Sequence, residues 1–207
     1  MTWHDGLLLL GAYLLGAVPF GYLITRLRTG ADIRTVGSGN IGATNVTRTQ
    51  GKGWGVATLT LDAAKASAAV LACVHLSPLP WMGAAGGAMA VLGHCCPVYI
   101  GFRGGKGVAA GLGAFIVIAP FATLIALGIF FVVLLGSRRV AAGSVLAALA
   151  FALALFVFHF GYGRFAPQVP WIGLGLSLLI VARHHENIRR IAAGTEPAMW
   201  GKGGGKP

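Results

Sequence analysis

Long apolar stretches alternate with short polar ones along nearly the whole chain. The apolar runs cover residues 6–25, 54–76, 81–100, 107–136, 140–160 and 169–182. A helix needs about 20 apolar residues to cross the hydrocarbon core, with a range of roughly 17 to 25, and most of these runs come close to it. They are continuous and rich in Leu, Ala and Gly, unlike the short alternating segments of an outer-membrane barrel. In lipid every backbone polar group must find its partner within the protein, which favours helices. The pattern predicts an all-α, polytopic membrane protein. Within the run 107–136, Pro120 lacks an N–H and disfavours helix at Ala119. With a turn there, the chain forms seven transmembrane helices, of which 107–119 is short for a full crossing. The segment 169–182 is also short, unless it extends into the polar residues that follow.

The distribution of charge orients these helices. Residues 27–53 hold Arg28, Arg34, Arg48 and Lys52, and the stretch around Gly101 holds Arg103 and Lys106. Arg138 and Arg139 close the long run, and the tail carries Arg189, Arg190, Lys202 and Lys206. The opposite connections are almost bare: Ser77-Pro78-Leu79-Pro80 has no charge, and 161–170 has only Arg164. Basic loops stay in the cytoplasm, so the N-terminus is expected outside and the C-terminus inside.

Composition agrees with the bilayer as solvent. Apolar residues make up 56% and charged residues 10% of the 207, against about a quarter charged in soluble domains. The net charge of +11 would point to nucleic acid in a soluble protein. Here the cations sit at the ends of apolar runs, so no nucleic-acid partner is expected, and the excess suits anionic lipids or phosphorylated substrates. Cys73, Cys95 and Cys96 lie in apolar stretches without zinc spacing. Asp5 before the first run and Arg26 and Arg28 after it reverse the charge order of a signal peptide. Gly83 with Gly87, and Gly107 with Gly111, have the spacing of closely packed membrane helices. The chain reads as one domain over residues 1–207, with a Gly- and Lys-rich tail, 199–207, expected to be disordered.

Three polar islands break the apolar pattern, all on the predicted cytoplasmic face. The first, GSGNIGATNVTR from Gly37 to Arg48, contains a formal G-x-G-x-x-G. No strand precedes it, so a Rossmann fold is rejected. Its glycines still let backbone N–H groups approach an anion, and Ser38, Asn40, Thr44, Asn45 and Arg48 add hydrogen bonds and charge. A solvated loop would read the same. The second island, GHCCPVYIGFRGGKG from Gly93 to Gly107, is not a Walker A loop. Its Gly104-Gly105-Lys106 turn nevertheless opens a helix, placing free N–H groups beside an ammonium. A basic loop obeying the topology rule is the plain alternative. The third, Arg183 to Arg190 followed by Gly194-Thr195-Glu196-Pro197, continues the final helix, with His184 and Asn187 on one face. A basic helix binding lipid head groups is the plain reading there. Within the second span, Asp62 and Lys65 have the i, i+3 spacing of a structural pair. No acidic cluster suggests a metal cage, so neither metal nor cofactor is expected.

In order and spacing these islands resemble the three cytoplasmic motifs of bacterial acyl-phosphate:glycerol-3-phosphate acyltransferases, and Leu61-Asp62-Ala63-Ala64-Lys65 also resembles that family. The likeness spans residues 37 to 197. It implies a seven-helix enzyme of the bacterial cytoplasmic (inner) membrane with a cytoplasmic active site. Its substrates would be acyl phosphate and glycerol 3-phosphate, its products lysophosphatidic acid and phosphate, with membrane lipids around it and no obligatory protein partner. Ser38, Gly39, Asn40, Asn45, Arg48, Gly104, Gly105 and Lys106 become the candidate substrate-binding residues, and His184 and Asn187 the candidate catalytic ones. Either His184 or a phosphate of the substrate serves as base, and the family likeness favours the substrate. The sequence departs from the family pattern at His185, where many members carry arginine, so no role for a cation is carried over to it. A transporter or channel for an organic phosphate is the rival reading. Against it, the polar groups gather on one face rather than at mid-membrane, and no internal repeat is visible.

Overall fold

A computed structural model describes residues 1–200 of the protein. Among these it is helical throughout, with ten α-helices and two short 3-10 turns. Five helical segments are long and apolar enough to cross a membrane: Trp3–Thr29, Lys52–Leu76, Met82–Ile100, Pro120–Ser137 and Val140–Tyr162. Two shorter apolar helices, Val108–Ile118 and Gln168–Arg183, accompany them. The chain forms two compact units that divide after Ile118.

The first unit holds α1 (Trp3–Gly16), α2 (Phe20–Thr29), α3 (Ala43–Gln50), α4 (Lys52–Leu76), α5 (Met82–Cys95) and α6 (Val108–Ile118). The first apolar run is thus broken in two. Pro19 sits at the start of α2 and cannot donate a helical hydrogen bond. The start of α1 is closed by a capping box between Thr2 and Asp5. Ser77 Oγ, just past α4, donates to Asp5 Oδ1 at 2.7 Å, joining the N-terminus to the uncharged 77–80 connection. Only Gly51, at φ +97°, separates α3 from α4.

Close packing rests on small residues, as expected where lipid supplies no hydrophobic force between helices. A Cβ on Gly16 would overlap the Ala90 backbone, and one on Gly93 the carbonyl of Tyr13, so α1 lies directly on α5. Gly83 and Gly87 face Val70 and Val74 of α4 and Ala114 and Ile118 of α6, in keeping with their spacing. Of the Gly107–Gly111 pair, only Gly111 lies within α6. Gly107 stands outside α6 with φ +85°, because the helix begins only at Val108. Gly113 makes a close approach to α4. Its missing side chain leaves room for the Ala63 backbone, and its carbonyl accepts from Ser67 Oγ at 2.6 Å.

The second unit holds α7 (Pro120–Ser137), α8 (Val140–Tyr162), α9 (Gln168–Arg183) and α10 (His185–Ala192). The chain breaks at Pro120, which takes the first position of α7. α8 packs against both α7 and α9, and α10 touches α8 and α9. The third island does not continue the final helix as expected. His184 leaves helical geometry at φ −99°, ψ 8°, and a separate short helix follows. The Met199 amide donates to the Arg138 carbonyl at 2.7 Å, and the remainder of the expected tail, 201–207, lies outside the described residues.

Gly113→Leu should destabilise the first unit by about 1–3 kcal/mol, the usual cost of overpacking. Gly128 on α7 has nothing within 4 Å of where a Cβ would sit, so Gly128→Leu is the matched control. Thermal unfolding in detergent should separate the two, and equal melting would show that α4 and α6 are not in close register.

Candidate active site

The first island is built around Asn45. This residue is 1% exposed, in the first turn of α3. Its Oδ1 accepts from the Ser38 amide at 2.9 Å. Its Nδ2 donates to the carbonyls of Asn40 at 2.9 Å, Val36 at 3.1 Å and Ile33 at 3.4 Å. The loop 36–42 is therefore wrapped around one carboxamide, and Gly37 and Gly39 supply its two left-handed bends at φ +60° and +68°. Asn40 Oδ1 accepts from the Gly42 amide at 2.9 Å. Asn45 and Asn40 spend these bonds on the loop's own backbone, while Ser38 and Arg48 stay exposed.

Arg34, which the sequence marked only as a topology cation, joins this loop to the second island. Its guanidinium grips Asp32 through Nε and Nη2, the latter at 2.7 Å, and donates through Nη1 to the Ile100 carbonyl at 2.9 Å. The hydrogen bonds from Arg34 hold the Asp32 carboxyl below its ordinary range, and Asp32 raises Arg34 in return. Beneath them Ile33, Ile41 and Val46 form a small apolar core that Ile100 and Tyr22 complete. The first two islands thus share one foundation.

In the second island the Gly-Gly turn folds back onto the end of α5. Side chains at Gly104 or Gly105 would overlap His94, and Gly104 would also meet Pro97. The Gly105 amide donates to the His94 carbonyl at 3.0 Å, and Tyr13 Oη donates to the Cys96 carbonyl at 2.7 Å. Lys106 is half-buried, two residues before α6. Asp62 and Lys65 form the expected pair at 2.7 Å, and His94 joins them with Nδ1 3.2 Å from Lys65 Nζ.

In the second unit, His184 and Asn187 are both buried. His184 Nδ1 lies 2.8 Å from the Ile180 carbonyl, so Nδ1 carries the ring proton and Nε2 is the basic nitrogen of the neutral ring. Asn187 Nδ2 donates to Glu196 Oε1, and Arg190 Nε to Glu196 Oε2, both at 2.7 Å. Glu196, not among the expected site residues, is the buried hub of this motif. Gly194 at φ +72° turns the chain so that the Thr195 and Glu196 amides both reach the Arg190 carbonyl. His185 is exposed.

The model of the glycerol-3-phosphate acyltransferase family matches residues 6–194. The chain belongs to the glycerol-3-phosphate acyltransferase family. Relatives of that name include one from Anaeromyxobacter dehalogenans, 46% identical over 92% of this chain and 94% of its own length. Another, from Mesorhizobium japonicum, is 42% identical over 98% of this chain and 100% of its own. The fold is similar to crystal structures of PlsY (YgiH), an integral membrane glycerol 3-phosphate acyltransferase. The glycerol 3-phosphate form aligns with a TM-score of 0.87 and 38% identity over 95% of this chain and 96% of that one. The lysophosphatidic acid form aligns at 0.84 and 36% over 94% of each. Family membership decides against the transporter reading, and the chain is an integral membrane acyltransferase.

Asn45→Asp is nearly isosteric but replaces a donor by an acceptor facing three carbonyls. It should loosen the 36–42 loop, seen as faster amide exchange there, and cost roughly 1–3 kcal/mol through unsatisfied buried groups. Unchanged exchange in residues 36–42 would show that Asn45 does not organise the loop.

Proposed function

We propose that the protein transfers a fatty acyl group from acyl phosphate to the 1-hydroxyl of glycerol 3-phosphate. The products are lysophosphatidic acid and phosphate, in phospholipid biosynthesis. The observation that carries this reading is full-length likeness to an acyltransferase crystallised with glycerol 3-phosphate and with lysophosphatidic acid. Ser38, Arg48 and Lys106, with the backbone of the Gly37–Gly39 and Gly104–Gly105 turns, bind substrate phosphate, and Asn40 and Asn45 shape the first of these turns. A guanidinium binds phosphate through two parallel N–H donors. His184 and Asn187 position the glycerol hydroxyl, with Glu196 orienting the Asn187 amide.

Acyl phosphate is a mixed anhydride with a good leaving group, so no covalent enzyme intermediate is required. The hydroxyl oxygen attacks the acyl carbon and the bond from acyl carbon to phosphate oxygen breaks. The hydroxyl proton passes to a phosphate oxygen or to His184 Nε2. What the protein supplies is the joint positioning of two anions and the exclusion of water.

The reading includes seven spans in the inner membrane, N-terminus outside, and a cytoplasmic site. It is supported within the first unit by two separate clusters. Asp5 meets Ser77 of the uncharged 77–80 connection, and the basic first and second islands meet through Arg34 and Ile100. Cations belong to the cytoplasmic side.

The assay that tests the function uses the purified full chain in detergent with acyl phosphate and glycerol 3-phosphate. Phosphate should be released in step with lysophosphatidic acid, and release without the lipid product would count against acyl transfer to glycerol 3-phosphate. Arg48→Lys keeps the topology charge and removes the planar fork. Membrane insertion should be normal and kcat/KM should fall about ten- to a hundredfold, the equivalent of about 1.5–3 kcal/mol for a hydrogen bond to a charged group. Full activity would move the phosphate site away from α3.

A further inference from the structure

Behind the Gly-Gly-Lys turn lie three ionisable side chains that the proposed chemistry does not use. Asp62 and Lys65 stand one turn apart on α4, and His94 lies in the last turn of α5; all three are at most 4% exposed. As an ammonium, Lys65 has three N–H donors and no acceptor. Two groups stand at hydrogen-bond distance from it, the Val18 carbonyl at 2.6 Å and His94 Nδ1 at 3.2 Å, and Asp62 Oδ1 at 2.7 Å pairs with it as a charge without an aligned hydrogen bond. Matching donors to acceptors makes Nδ1 a lone-pair acceptor and leaves the ring proton of His94 on Nε2. The 3.4 Å approach of Nδ1 to Asp62 Oδ1 follows from both facing one ammonium.

The far edge of the ring meets the second island. His94 Nε2 occupies the space that a side chain on residue 105 would fill, and the Gly105 amide is tied to the His94 carbonyl at 3.0 Å. Only a residue without a Cβ lets the turn lie against the imidazole. Lys65 therefore gathers the break in the first span, α4, and the ring on which the turn rests. A buried ion pair is expensive beside an apolar pair of the same volume, and here both charges lie in a segment apolar enough to span the bilayer. A mere helix contact has no need of that chemistry, whereas fixing one tautomer of one ring does.

We propose that Asp62, Lys65 and His94 form a positioning brace that fixes His94 with its proton on Nε2 and seats the Gly104-Gly105-Lys106 turn in its anion-binding shape. The proposal rests on reading that turn as part of the phosphate site. None of the three is a catalytic residue, because each acts through the turn.

The experiment has a spectroscopic arm and a kinetic arm on the full chain in detergent. With 15N-labelled histidine, the His94 ring, assigned through its proximity to the Lys65 ammonium, should show a protonated Nε2 and a bare Nδ1. The isosteric double variant Asp62→Asn/Lys65→Met should lose that preference. A protonated Nδ1 in the wild-type protein overturns the brace, whatever the kinetics show. In the kinetic arm, His94→Asn keeps an acceptor near Lys65 but removes the ring from beneath Gly105. KM for at least one phosphate-bearing substrate should rise about tenfold, as for a lost hydrogen bond, with kcat changed less than about twofold. Lys106→Met separates the two levels of the argument. If it leaves both KM values unchanged, the phosphate reading of the turn fails, while the tautomer result stands on its own. If it raises KM and a folded His94→Asn shifts only thermal stability, the brace is wrong and the phosphate reading survives. Should His94→Asn not fold, the wild-type and double-variant spectra still decide the matter.

Discussion

Backbone that leaves a helix within or beside a bilayer must satisfy its own N–H and C=O groups, because lipid offers no hydrogen bonds. The polar parts of this protein are organised by that demand. Asn45 meets it for the first island, with one side chain serving four backbone groups. Lys65 meets it at the break between α1 and α2 by taking the Val18 carbonyl. Arg34 and Tyr13 do the same for carbonyls of the second island, and Glu196 organises the third through Asn187 and Arg190. In each case a buried or half-buried polar side chain shapes a loop. Ser38 and Arg48 on the first island are left exposed, as their proposed role toward substrate phosphate requires.

The division of labour explains how far the sequence could be read. Apolar runs and the Pro120 break were legible because the 20-residue period of a span and the missing proline N–H are local signals. All three islands stood out as breaks in the apolar pattern, and the family likeness suggested their roles. The break at Val18-Pro19 was hidden inside an apolar run, although Pro19 was there to be seen. Its stability comes from Lys65, 47 residues away, which no local pattern reports. The interruption at His184 carries neither glycine nor proline, so periodicity ran straight through it. Gly107 had the right spacing for helix packing but lies in a left-handed turn, since spacing has meaning only once a helix start is known.

Direction was the harder matter. In a glycine loop nothing in the spacing says which polar side chains point out to a ligand and which turn inward. Asn45 and Arg48, three apart in the same motif, lie at opposite extremes of burial. Arg34 and Glu196 were overlooked for the related reason that charge near a membrane surface is read first as topology. Asp32 beside Arg34 was the available signal for the one, and the pairing of a late acidic residue with Asn187 and Arg190 for the other.

The Asp62–Lys65 pair also has a bearing on biogenesis. Its two members are three residues apart on α4, so the pair forms as soon as that helix does. The two charges can then leave the ribosome and enter lipid as a neutral unit. The Val18 carbonyl has by then been made, but His94 follows Lys65 by 29 residues. A half-made protein therefore holds its charges compensated while the third donor of the ammonium waits for α5. Translation order thus sets an order of consolidation in which the later partner, His94, docks onto a charge pair that is already neutral.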